Sequence, residues 1–89
     1  MPKKLKYYNG CACFRLPGSD RTQQHLTIAA YSWKQALEIL SPFSSGHTLH
    51  SMREYWTMVN SPPSHLDAQT EPSMFVYEGH CWSEPRRLV

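Results

Sequence analysis

The sequence predicts an α+β domain in which one helix packs on one face of a mainly antiparallel sheet of three or four strands. Two early segments lack a helical apolar period and are separated by strong turn residues. The segment that follows them has a clear helical period. The chain has 89 residues, which is enough for one modest core. We therefore predict a single domain over residues 1–89.

The first two elements predict a β-hairpin. Residues 4–16 are rich in tyrosine, cysteine and phenylalanine, a composition typical of a strand. Residues 17–20, PGSD, are turn formers. Residues 25–31 alternate, with Leu26 and Ile28 on one face. Because the connection is short, the two strands should pair antiparallel.

The segment SWKQALEILSPF predicts a helix over residues 32–41. Ser32 and Gln35 have the spacing of a capping box. Pro42 and the serine and glycine residues after it should end the helix. The apolar stripe of this helix consists of Trp33, Ala36, Leu37 and Leu40. This stripe should face the sheet.

Residues 47–60 fit two interpretations. Leu49, Met52 and Trp56 follow a helical period, and Ser51 with Glu54 could form a capping box. However, residues 55–59 are strand formers. We favour the strand and leave the helix as the alternative.

The rest of the chain predicts one loop, one strand and a tail. Residues 60–73 are polar and rich in proline, and a loop of this length is often functional or mobile. Residues 74–82 predict the last strand, and residues 83–89 a C-terminal tail.

Composition excludes several classes of protein. Hydrophobic residues make up 40% and charged residues 18% of the chain, as in a folded domain. The net charge of +2 is well below that of a dedicated DNA-binding domain. No apolar run is long enough to cross a membrane, and the N-terminus lacks the apolar core of a secretory signal. Three cysteines is an odd count for a secreted domain, so we expect a cytoplasmic protein with reduced thiols.

The cysteines raise the question of a metal site. Cys11, Cys13, His80 and Cys81 are four zinc-ligand residues. Their spacing argues against a site, because C-x-C is not a zinc knuckle and neighbouring strand residues such as His80 and Cys81 point to opposite faces. We expect neither a metal nor another cofactor, and we leave a small zinc-binding domain with these four residues as ligands as an alternative. Cys11 and Cys13 should be small buried strand residues with no chemistry of their own.

The sequence contains no catalytic signature, such as a nucleophile elbow, a glycine-rich phosphate loop or an H-E-x-x-H motif. We therefore predict that the protein is not an enzyme. Nucleic-acid binding is one alternative, since Lys3, Lys4, Lys6, Arg15 and Arg21 lie near aromatic residues that could stack on bases.

Protein binding is the function that we favour. Aromatic residues are 12% of the chain, more than one helix can cover, and tryptophan, tyrosine and arginine dominate protein interfaces. The contact surface should be the sheet face not covered by the helix, together with loop 60–73. The expected contributors are Tyr7, Tyr8, Arg15, Arg53, Trp56 and Trp82. A homodimer that covers this face is also compatible with the pattern.

The first half of the chain resembles the small β-β-α-β accessory proteins of phages and other mobile elements, among them anti-CRISPR proteins. The resemblance covers residues 4–40 and includes the step from strand to helix at Ala30, Ser32 and Ala36. It implies an inhibitor that acts in the host cytoplasm and covers a functional surface of a host protein or ribonucleoprotein complex. Because this chain is mildly basic, the inhibitor would act by shape rather than by mimicking the charge of DNA.

Overall fold

A five-stranded antiparallel sheet is the frame of the molecule. The computed structural model describes residues 4–16, 22–63, 66–77 and 85–89. The elements are β1 (Lys6–Cys13), β2 (Gln23–Ala30), α1 (Trp33–Leu40), α2 (Leu49–Tyr55), β3 (Thr57–Val59), β4 (Ser73–Tyr77) and β5 (Pro85–Arg87). The strand order is β3-β1-β2-β4-β5, and each neighbouring pair is antiparallel. The α+β class and the β1–β2 hairpin are confirmed, but the described residues form five strands and two helices, not three or four strands and one helix.

Helix α1 begins at the predicted cap. The Ser32 hydroxyl accepts a hydrogen bond from the backbone N–H of Gln35 at 3.2 Å. The Gln35 side chain accepts from the N–H of Tyr31 at 2.7 Å, one residue before the expected partner. Ala36 and Leu40 are fully buried, and Trp33 packs edge-on against Tyr8 with ring centroids 4.7 Å apart. The apolar stripe therefore faces the sheet as predicted.

The strand interpretation of residues 47–60 is wrong for most of the segment. Residues 49–55 form α2, and only residues 57–59 form a strand. The capping box lies one turn earlier than expected. The Thr48 hydroxyl accepts from the Ser51 N–H at 3.1 Å, and the Ser51 hydroxyl accepts from the Thr48 N–H at 3.0 Å. These two bonds satisfy backbone donors that would otherwise have no partner at the start of a helix.

The predicted tail contains the edge strand β5. Arg87 pairs with Phe75, and the N–H of Leu88 donates to the carbonyl of Met74 at 2.8 Å. Strand β4 begins one residue earlier than predicted, and residues 78–82 of the predicted strand lie outside the described residues. Three residues with the sequence PRR carry no strand signal of their own, so β5 depends on its pairing with β4.

The main core lies between the sheet and the two helices. It includes Tyr8, Leu26, Ile28, Leu40, Met52, Trp56, Met74 and Val76. The Trp56 indole lies directly over Gly10 at the centre of β1. A Cβ atom at Gly10 would come within 2.5 Å of three indole atoms. Only glycine leaves room for this ring.

A smaller core lies on the second face of the sheet, away from the helices. Tyr7, Ala29 and Phe75 pack there with Leu66 from the segment between β3 and β4. The backbone N–H of Gln69 donates to the Tyr7 hydroxyl at 2.9 Å. The described residues between β3 and β4 contain no helix or strand, and they cover one end of the second face.

Candidate functional site

Three of the predicted contact residues belong to the core. Tyr7 is 3% exposed, Tyr8 1% and Trp56 5%. Each of the three would have to leave the core before it could touch a partner. Tyr8 and Trp56 pack in the main core with Met52 of α2, and Tyr7 packs with Leu66 from the segment between β3 and β4.

The other three predicted contact residues have separate positions. Arg15 is exposed just after β1, and Arg53 is exposed in the last turn of α2. Trp82 lies outside the described residues. The six residues therefore do not form one surface in the described part of the chain.

Beside the cluster of Tyr7, Ala29, Leu66 and Phe75, the second face has a row of hydrogen-bonded side chains, which includes the buried residues Thr27 and Tyr77. The Thr27 hydroxyl donates to the Asn9 Oδ1 at 2.6 Å, and its oxygen lies 3.0 Å from the Tyr77 hydroxyl in a second hydrogen bond. Cys11 and His25 form the neighbouring cross-strand pair. The described residues on this part of the second face are therefore linked across the strands by their side chains.

Exposed apolar side chains concentrate instead at β3 and the end of α2. Tyr55 is 77% exposed, Val59 39% and Met58 37%. Strand β3 is the outermost strand on its side of the sheet, and all three of its residues are exposed. We name Arg53, Tyr55, Thr57, Met58 and Val59 the β3 edge surface.

Local geometry explains why these side chains are exposed. Trp56 leaves the helical conformation, with φ −102° and ψ 153°, and its indole enters the core. The helix therefore stops at Tyr55, whose ring remains in solvent. The sequence places two large aromatics side by side at 55 and 56, and nothing local decides which of them is buried.

Strand β5, at the opposite edge of the sheet, differs from β3 in its residue types. Strand β5 contains Pro85, Arg86 and Arg87, which are residues that natural proteins use to protect sheet edges. The Arg87 guanidinium also donates to a Glu71 carboxylate oxygen at 2.7 Å. Strand β3, in contrast, has no charged residue and no proline. An added strand would therefore pair more readily with β3.

The sequence predicts that Cys11 and Cys13 are both buried, but in the structure neither side chain is fully buried. Cys13 is exposed and Cys11 half-buried, while Ala12 between them faces the core. The Cys11 Sγ lies 3.2 Å from the His25 Nδ1. Burial raises the pKa of the Cys11 thiol, and the nearby Cys13 thiol raises it further.

The described residues contain no group of three or more metal-ligand side chains close enough to hold an ion. His80 and Cys81, two of the four alternative zinc ligands, lie outside the described residues. None of the described helices is long and apolar enough to span a membrane.

Comparison with known proteins gives no match to a family model, to a curated protein or to a solved structure. The resemblance of residues 4–40 to anti-CRISPR proteins therefore stays a prediction.

Proposed function

We propose that this chain is a non-enzymatic protein-binding module, and that an extended segment of its partner adds to the sheet along β3. The observation that carries the proposal is the β3 edge surface. It joins the outermost described strand on one side of the sheet, which has no charged residue and no proline, to exposed apolar side chains. Strand addition uses the free main-chain groups of an edge for affinity and the flanking side chains for specificity.

The side chains of β3 suit an added strand on both faces. Met58 pairs with Tyr8, so it belongs to the helix side of the sheet. Val59 pairs with Tyr7 and belongs to the second face. A partner strand would therefore meet an apolar side chain on each face. Tyr55 adds a large ring beside this strand, and tyrosine is enriched among the residues that dominate binding energy.

Two observations support protein over nucleic acid as the partner. The rings of Tyr7 and Tyr8, which would stack on bases in the alternative, are buried. Phe14 is half-buried and packs against Phe43, with ring centroids 5.9 Å apart. A base-stacking surface needs exposed rings, and the exposed ring of Tyr55 lies beside an apolar strand.

An inhibitor of the kind implied by the resemblance would use this edge to cover a functional surface of its target. The β3 edge surface contains one charged residue, Arg53. Such a surface would recognise its target by main-chain pairing and apolar shape. It does not have the dense negative charge of a DNA mimic.

The test uses the full chain with an affinity tag to capture partners from a bacterial lysate, with and without nuclease. Met58→Lys places a charge on the outer strand, which is how natural edges avoid pairing. Val89→Lys is the matched control, because Val89 is an exposed apolar residue, 45% exposed, and contacts β4 at the other side of the sheet.

We expect a stoichiometric protein partner that survives nuclease, is lost from Met58→Lys and is retained by Val89→Lys. Circular dichroism should show that both variants are folded. Equal capture by the two variants would reject the β3 edge as the binding surface. Capture that disappears with nuclease would reject a protein partner in favour of nucleic acid.

A further inference from the structure

A thiol and an imidazole meet on the second face of the sheet, away from the β3 edge surface. Cys11 in β1 and His25 in β2 are direct cross-strand partners. The Cys11 Sγ lies 3.2 Å from the His25 Nδ1, within hydrogen-bonding distance for sulfur. Both residues are half-buried, so the pair is ordered by the sheet and still reaches solvent.

The sheet holds this pair in position. Ala12 and Leu26, which alternate with Cys11 and His25 along the two strands, are buried against the helices. A shift of register by one residue would expose them, so the main core maintains the register that brings the sulfur to the imidazole. The contact is therefore a consequence of the folded hairpin.

The thiol needs a base to react. Burial raises the pKa of Cys11, and the Cys13 thiol adds to this effect. A thiol of this kind keeps its proton at neutral pH, and the protonated form is a poor nucleophile. An imidazole within hydrogen-bonding distance removes that obstacle, because it takes the proton as the sulfur attacks. Among the described residues, the other titratable groups facing this pair are Cys13, two residues along β1, and Tyr77, the partner of His25 in β4.

We propose that Cys11 and His25 form a thiol modification site, at which small-molecule disulfides convert Cys11 to a mixed disulfide. The Cys11 proton moves to the His25 Nδ1, and the sulfur lone pair forms a bond to one sulfur of the small disulfide. The disulfide bond of the reagent breaks, and its electron pair leaves on the second sulfur, which is released as a thiol after protonation. Cys11 is oxidised and the reagent is reduced.

The setting fits stoichiometric modification of the protein rather than turnover of a substrate. The pair lies on a sheet face, next to the hydrogen-bonded side chains of Asn9 and Thr27. A small disulfide can approach a half-exposed sulfur on such a surface. This proposal is independent of the β3 edge surface, because Cys11 lies beyond the residues of β1 that pair with β3.

The test compares two single-thiol proteins. Cys13→Ser with Cys81→Ser leaves Cys11, and Cys11→Ser with Cys81→Ser leaves Cys13 as the matched control. Each folded protein is mixed with oxidised glutathione, and mass spectrometry follows the mixed disulfide over time. His25→Gln is then added to both proteins, with circular dichroism to check that they remain folded.

We expect His25→Gln to slow the reaction of Cys11 at pH 7 by about 100-fold, the low end of what a positioned base contributes. The Cys13 control should change by less than about two-fold, because Cys13 has no hydrogen bond to this base. A similar change in both proteins, or none in Cys11, would overturn the proposal.

The pH profile supplies a second readout that needs no change at His25. A reaction assisted by a neighbouring base should rise at a lower pH than the reaction of an unassisted thiol. A thiol that reacts without a base should instead rise near about pH 8.5 or above. A Cys11 profile of the second kind, or modification that begins only after unfolding in urea, would show that the Cys11–His25 contact is structural only.

Discussion

The contact between Gly10 and Trp56 gives the sharpest prediction about stability. Gly10→Ala introduces a methyl group within 2.5 Å of three indole atoms. Carbon atoms pack at about 3.5–4.0 Å, so the ring must move by roughly 1–2 Å. Trp56 is only 5% exposed and is enclosed by the core, so this movement displaces its neighbours.

The expected change in the free energy of unfolding follows from two opposing effects of Gly10→Ala. Overpacking of a core costs about 1–3 kcal/mol. Alanine in place of glycine stabilises a strand by roughly 0.5–1 kcal/mol, because glycine loses more conformational entropy on folding than alanine does. We therefore expect Gly10→Ala to lower the free energy of unfolding by about 2 kcal/mol, from the upper part of the overpacking range. Urea unfolding followed by far-UV circular dichroism measures this without using tryptophan fluorescence.

A double-mutant cycle tests the cause of the loss. In a Trp56→Leu background the side chain over Gly10 is smaller. The loss of unfolding free energy caused by Gly10→Ala should therefore fall to near zero. Gly46→Ala is the control, because Gly46 has φ 91° and open space around it, and its cost comes from the backbone alone. That cost should be the same in both backgrounds. An equal cost of Gly10→Ala in both backgrounds would refute the steric explanation.

Two further predictions concern single hydrogen bonds. Tyr7→Phe removes the acceptor for the Gln69 N–H and should cost about 0.5–1.5 kcal/mol, with faster proteolysis between β3 and β4. Unchanged proteolysis would contradict the view that this bond holds the segment to the sheet. Thr48→Ala removes the acceptor for the Ser51 N–H at the start of α2, and urea unfolding should show a loss of about 1 kcal/mol. Thr48→Ser keeps the acceptor and should retain most of the stability, so an equal loss in both variants would argue against capping.

The hairpin and α1 could be predicted because their signals are local. Residues 25–31 alternate in polarity, and Ser32 with Gln35 marks the start of a helix four residues before its first buried position, Ala36. Patterns of this kind require only neighbouring residues. The same local signals were present for α2, but the strand formers at 55–59 span the end of α2 and the whole of β3, so the two signals overlapped.

The candidate site could not be predicted, because burial depends on what covers each residue. Tyr7 and Tyr8 point to opposite faces of β1, and both are buried because each face has its own cover. Tyr55 and Trp56 are neighbouring large aromatic residues, and no local pattern distinguishes them. Tyr55 is nevertheless exposed, while Trp56 is buried in the core over Gly10. The contact between Cys11 and His25 joins residues on two strands and exists only in the observed register.

By itself, the sequence determined the α+β class, the hairpin and α1, since periodicity, turn residues and caps act within a few neighbouring positions. Only the tertiary structure decided which edge of the sheet is unprotected, which aromatic rings are exposed and which thiol meets an imidazole. These features depend on strand order, register and coverage of each face, and contacts between distant residues set all three.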